Sequence, residues 1–160
     1  MQACFIGHRR IGEKEKFSYL LREIVVELIH KGVKSFLFGS RSEFDHLAWQ
    51  IVTELQQIYP DIQRIYVRSS YQEIDETYEE YLLKSYEGTY FPQQLKNAGK
   101  YCYVERNFEM IDKSTYCVFY YEAEKDGCLP KQPQRKSGTK VAYQYAVKKK
   151  KTIINLCELF

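Results

Sequence analysis

The chain has 160 residues, 44% hydrophobic and 28% charged, and a net charge of only +3 from 24 basic and 21 acidic side chains. That is the size and composition of one globular α/β domain with a real core, and it excludes a disordered or fibrous chain. So small a surplus of positive charge makes no case for a nucleic-acid or anionic-membrane surface.

The apolar run at residues 3–6 reads as a buried first strand and leads into Gly7-His8-Arg9-Arg10. Phe17, Leu20, Leu21, Ile24, Val25, Leu28 and Ile29 then trace one helix face, with Glu13 and Glu15 at its start. His30 and Lys31 fall in its last turn, and Gly32 stops it. A second short strand covers residues 35–38. The stretch Phe38-Gly39-Ser40-Arg41-Ser42-Glu43-Phe44-Asp45 follows, and then apolar residues at Phe44, Leu47, Ala48, Ile51, Val52 and Leu55. Strand, glycine turn and helix in that order leave backbone N–H groups and the positive end of a helix facing outward, which suits an anion. Gly39 allows a positive φ or a close approach, and Ser42-x-x-Asp45 fits a capping box with Asp in place of Glu.

Residues 62–67, rich in β-branched and aromatic side chains, predict a third strand after Pro60. Residues 75–86 predict a helix, inside a stretch from 68 to 100 punctuated by Gly88, Pro92 and Gly99. The tyrosines of this stretch suit either a base-stacking surface or an excursion packed by its own rings. The missing basic groove favours the second. Residues 101–104 read as a short strand, 105–113 as a short helix, and 115–121 as the strongest strand of the chain. The segment 122–136 carries Asp126-Gly127, Pro130, Pro133 and four basic residues; it reads as a mobile flap or an ordinary excursion. Ser137-Gly138-Thr139 opens a helix with Val141, Ala142, Tyr145 and Ala146 on its inner face, Lys148 to Lys151 close it, and residues 152–156 form the last strand. Strands alternating with helices predict a three-layer α/β sandwich with a mostly parallel central sheet, as one domain over residues 1–160.

Five cysteines, Cys4, Cys102, Cys117, Cys128 and Cys157, are odd in number and include no C-x-x-C, which predicts reduced thiols in a cytoplasmic protein. His8, His30 and His46 lack metal-ligand spacing, so no metal site is expected. No apolar span or leader is long enough to suggest a membrane or export.

The carboxyl ends of parallel strands form the binding edge of such a sheet. There the chain gathers Gly7, His8, Arg9, Arg10, Gly39, Ser40, Arg41, Asp45, Arg106, Asn107, Ser137, Gly138 and Thr139, and the segment from Arg68 onward reaches the same edge. Arginine forks and exposed N–H groups are what a phosphate or carboxylate needs. Neither G-x-G-x-x-G nor G-x-x-x-x-G-K-[ST] occurs, so ordinary dinucleotide binding and P-loop hydrolysis have no support. Asp45 either caps its helix or holds a ribose hydroxyl.

Four pieces resemble the SLOG superfamily, which groups DprA/Smf-type proteins with LOG phosphoribohydrolases, and within it the YpsA-like group of uncharacterised bacterial proteins. They are Phe5-Ile6-Gly7-His8-Arg9, Phe38-Gly39-x-x-x-x-Phe44-Asp45-x-x-Ala48, Arg106-Asn107-x-x-Met110-Ile111-Asp112-x-Ser114, and Ser137-Gly138-Thr139-x-x-Ala142 with Ile153-Ile154-Asn155. The resemblance implies a Rossmann-like fold whose Gly-rich loops bind a nucleotide or nucleotide-derived ligand. LOG enzymes carry P-G-G-x-G-T-x-x-E, and the glutamate serves N-glycosidic cleavage. Here Ala142 stands at its place and Arg135-Lys136 replace the glycines.

The expected function is therefore a small binding or sensor domain for a nucleotide or nucleotide sugar, requiring no cofactor. Two alternatives stand beside it. One is an N-glycosidic hydrolase in which Arg106 acts with Glu105, Glu122 or Asp45 in place of the glutamate. The other is a DprA-like single-strand DNA binder, against which the low net charge argues. A nucleotide-like small molecule is the expected partner and a homodimer is left open.

Overall fold

The computed structural model describes residues 1–40, 42–69, 76–93, 95, 99, 101–123 and 137–159. Six parallel strands form one sheet in the order β4-β3-β2-β1-β5-β6. They are β1 (Gln2–Gly7), β2 (Ser35–Phe38), β3 (Gln63–Val67), β4 (Gly88–Tyr90), β5 (Tyr116–Tyr120) and β6 (Thr152–Asn155). The helices are α1 (Lys14–His30), α2 (Glu43–Leu55), α3 (Glu76–Ser85), α4 (Tyr101–Lys113) and α5 (Gly138–Lys148).

Strand periodicity sorts the core into two layers. Ala3 and Phe5 of β1, Phe36 and Phe38 of β2, and Val118 and Tyr120 of β5 join Phe17, Leu21, Phe44 and Val52 from α1 and α2. The residues between them, Cys4, Ile6, Leu37, Cys117 and Phe119, meet Met110 and Ile111 of α4 and Ala142 and Ala146 of α5. The result is the expected α/β sandwich, and its sheet is parallel throughout.

Two sequence expectations need correction. Residues 101–104 are the first turn of α4, not a strand. The run Tyr-Cys-Tyr-Val is apolar and aromatic, and so short a run does not separate strand from buried helix. Its helical period shows only in the burial of Cys102, Arg106 and Met110, four residues apart. The strand β4 was not expected. It has three residues and draws its order from pairing with the β3 edge.

The helix expected over 75–86 is α3, with Asp75 outside the described residues. The proposed flap lies outside them from residue 124 to 136, and Cys128 with it. Cys4, Cys102 and Cys117 are buried, and Cys157 is half-buried. Burial and the neighbouring Cys117 push the Cys4 thiol well up. Among the described residues, no helix is long and apolar enough to cross a membrane.

Candidate functional site

The chain runs outward from β1 to β4, then returns across the sheet to β5. Neighbouring strands β1 and β5 therefore send their following loops in opposite directions, and a crevice opens at their carboxyl ends. His8 closes the floor of it. Its N–H donates to the Tyr120 carbonyl (3.1 Å), and its Nε2 accepts from the Glu122 N–H (2.9 Å). An accepting Nε2 carries no proton, so the ring is held neutral with the proton on Nδ1. The loop after it is tied to α2. The Arg9 carbonyl accepts from the Glu43 N–H (2.9 Å), and the Ile11 N–H donates to Glu43 Oε2 (2.8 Å).

The turn after β2 is built on serines. Ser42 Oγ accepts from the Asp45 N–H (3.0 Å), the forward half of the expected capping box. The reciprocal half is absent: the Ser42 N–H turns to Ser40 Oγ instead (3.3 Å). The Asp45 carboxyl is thereby released from capping. It is only 3% exposed, and its Oδ1 has no hydrogen-bond partner. Burial pushes this carboxyl up to about 7, and the Gly39 amide, the Arg106 charge and the Ser40 amide draw it back only part of the way.

Arg106 enters from α4 and is 4% exposed. Its Nη1 donates to the Gly39 carbonyl, Nη2 to Asn107 Oδ1 (3.3 Å), and its guanidinium lies 5.5 Å from the Tyr103 ring centroid. Its Nε–H is buried without a partner. The same is true of Arg68, just past the end of β3. Burial lowers the Arg106 pKa, against the pull of Tyr66 and Asp45; a guanidinium stays charged regardless. From the other side, α5 starts at an N-cap, Ser137, whose Oγ accepts from the Lys140 N–H (3.0 Å).

These groups surround one cavity of about 1020 Å³. Of the residues expected at the site, Gly7, His8, Arg9, Gly39, Ser40, Arg106, Asn107, Ser137, Gly138 and Thr139 line it. Asp45 lines a neighbouring cavity of about 570 Å³ between α2 and α3. Arg10 is exposed and lines neither, Glu105 lines neither, and Arg41 lies outside the described residues. The sequence reading missed Tyr66 and Tyr103, which also line the larger cavity; it brought the segment from Arg68 onward to this edge without naming Arg68 or Ser69, which line it too, as site residues. A basic residue directly after a strand was the signal available for Arg68. Among the described residues, no cluster of three or more His, Cys, Asp or Glu could hold a metal ion.

A parallel sheet of this order, with a basic cavity at the carboxyl ends of its strands, defines a Rossmann-like α/β domain. The family model described as the YspA SLOG family (YpsA) matches residues 13–156, and the chain belongs to that family. The match starts beyond β1 and the loop carrying Gly7, His8 and Arg9. No curated protein matches the chain.

Proposed function

We propose that this domain binds a nucleotide or nucleotide-derived ligand, with the ligand's phosphate in the larger cavity. One observation carries the reading: Arg106 and Arg68 both line that cavity, and each keeps a buried Nε–H without a partner. A buried, unpaired donor on a fixed cation is costly unless an anion completes it. The starts of α2 and α5 border the same space through Ser42, Ser137 and Gly138 and add their positive ends.

Binding rather than hydrolysis is the function favoured. Ala142, at the place of the LOG glutamate, is 1% exposed in the apolar layer beneath α5 and brings no carboxylate to the cavity. Glu122 accepts from Tyr120 Oη (2.8 Å), and Glu105 borders neither cavity.

Mass spectrometry of small molecules released from the denatured protein, followed by thermal-shift titration of nucleotides, tests the proposal. A bound ligand raises the melting temperature with concentration. Arg106→Ala and Arg68→Ala should each weaken it by about tenfold or more, the loss of one contact to an anion. If no phosphate-bearing compound shifts the wild type, the proposal fails.

A further inference from the structure

The smaller cavity has a composition unlike the larger one. Its walls are rings from two helices: His46 and Trp49 on α2, nearly parallel at 6.0 Å and 14°, and Tyr78 and Tyr81 on α3, nearly parallel at 6.4 Å and 14°. Trp49 Nε1 donates to the Ser85 carbonyl (3.0 Å) and fixes the two walls to each other. Asp45 is its carboxyl group, and Oδ1 is a buried acceptor with no donor. Ser40, Ser42, Tyr66 and Tyr78 line both cavities, so the two are adjoining parts of one depression.

Flat rings and an unpaired acceptor call for a flat ligand portion that carries N–H groups. An aliphatic chain would leave Asp45 Oδ1 unsatisfied. A free cation would also suit rings and a carboxylate, but both already have a cation close by, though neither arginine lines the cavity. Arg106 acts on Asp45, and the Arg64 guanidinium lies 5.5 Å from the Trp49 ring centroid. The remaining chemistry is a neutral heteroaromatic ring with N–H donors on its edge.

From this we infer that the cavity between α2 and α3 is a nucleobase subsite, with the rings of Trp49, Tyr78 and Tyr81 packing on the base and Asp45 accepting from its N–H edge. The inference rests on the phosphate-site reading above, since the base enters as the far end of a ligand anchored at Arg106 and Arg68. It names the ligand as a nucleotide with its base intact, not a sugar phosphate.

The test compares guanosine monophosphate, whose base presents adjacent N–H groups, with ribose 5-phosphate, which has no base. Both are titrated calorimetrically against the whole chain. The nucleotide should bind about tenfold tighter or more, the usual gain from base stacking. Tyr81→Ala removes a ring that is 66% exposed, so folding should survive it. It should lower nucleotide affinity several-fold and leave ribose 5-phosphate unchanged. Asp45→Asn keeps the shape but replaces an acceptor by a donor, and should also lower the ratio between the two compounds. Equal affinities in the wild type, or a ratio unmoved by both substitutions, would overturn the base subsite while leaving the phosphate site standing. If neither compound nor any other phosphate binds the wild type, the phosphate-site reading falls and this inference falls with it.

Discussion

Gly39 makes the room that Arg106 occupies. A Cβ at position 39 would lie 2.8 Å from Arg106 Cδ, 2.9 Å from its Nε and 2.9 Å from Met110 Sδ. The Gly39 carbonyl in turn accepts from Arg106 Nη1. The bare backbone at the end of β2 therefore allows a guanidinium to be buried between the sheet and α4. Gly39 has no positive φ, so close approach and not turn geometry explains the glycine.

The three glycines of the binding edge should respond differently to alanine. At Gly7 a Cβ would meet Phe44 Cβ, Cγ and Cδ1 at 2.8, 2.6 and 2.4 Å, and Phe44 is fully buried. Gly7→Ala and Gly39→Ala should each cost about 1–3 kcal/mol or more, as overpacked cores do. A Cβ at Gly138 meets nothing within 4 Å, in the first turn of α5. Gly138→Ala should be neutral, or stabilising by about 0.4–1 kcal/mol through the unfolded chain. Urea midpoints of the three variants settle the order; equal losses at all three would contradict it.

Asp45 makes stability depend on pH. Its folded pKa, about 7, is above the ordinary 3.8. The folded state therefore holds this proton more tightly than the unfolded state. The contribution is full below about pH 4 and is lost as pH rises to about 7. Arg106 and the amides of Gly39 and Ser40 oppose the shift, and Tyr86, itself pushed up by burial and by Asp45, also faces the group. Asp45→Asn should flatten the fall in melting temperature between pH 4 and 7, and above pH 7 it should melt higher than wild type. Parallel curves would show that this carboxyl does not carry the effect.

Much of this architecture was legible because β1, β2 and β5 bury both faces and read as short apolar runs. The chain order of motifs placed the right loops at one edge. Arg106 hid the rest of α4: a charged residue at a core position breaks the apolar period that would have extended the helix back to Tyr101. The glycines were visible, but their neighbours were not. Phe44 and Arg106 are distant in sequence from Gly7 and Gly39, and nothing local records the contact. The same holds for Asp45. The pattern Ser42-x-x-Asp45 predicts a cap, and only the folded turn shows Ser40 taking over half of it.

Adenosine monophosphate should not be cleaved. The reaction needs a carboxylate at the sugar carbon that loses the base. Ala142 points into the core instead. Purified protein incubated with this nucleotide should release no adenine above the uncatalysed background. Release that disappears in Asp45→Asn but persists in Glu122→Gln would assign hydrolysis to Asp45 and displace the binding-only reading.

Asn155, at the end of β6, holds the rim of the crevice. Its Nδ2 donates to the Tyr121 carbonyl (2.9 Å), and its Oδ1 accepts from the Tyr121 N–H (3.1 Å) and the Cys157 N–H (3.3 Å). One amide side chain thus satisfies both backbone groups of the residue where β5 gives way to the loop containing Glu122. Asn155 is 4% exposed, so water cannot replace it at no cost. Asn155→Ala should lose about 2–4 kcal/mol, roughly two unpaired buried backbone groups. Asn155→Asp keeps the two acceptor contacts but sets a carboxylate against the Tyr121 carbonyl, and it should lose at least as much at neutral pH and recover part of it in acid. Because the Glu122 N–H also donates to His8, loosening Tyr121 should carry to the floor of the cavity. Hydrogen exchange at Tyr121 and Glu122 should then rise in both variants while that of β2 stays unchanged. Exchange that rises equally across the whole sheet would mean that Asn155 supports global stability and does not specifically hold this rim.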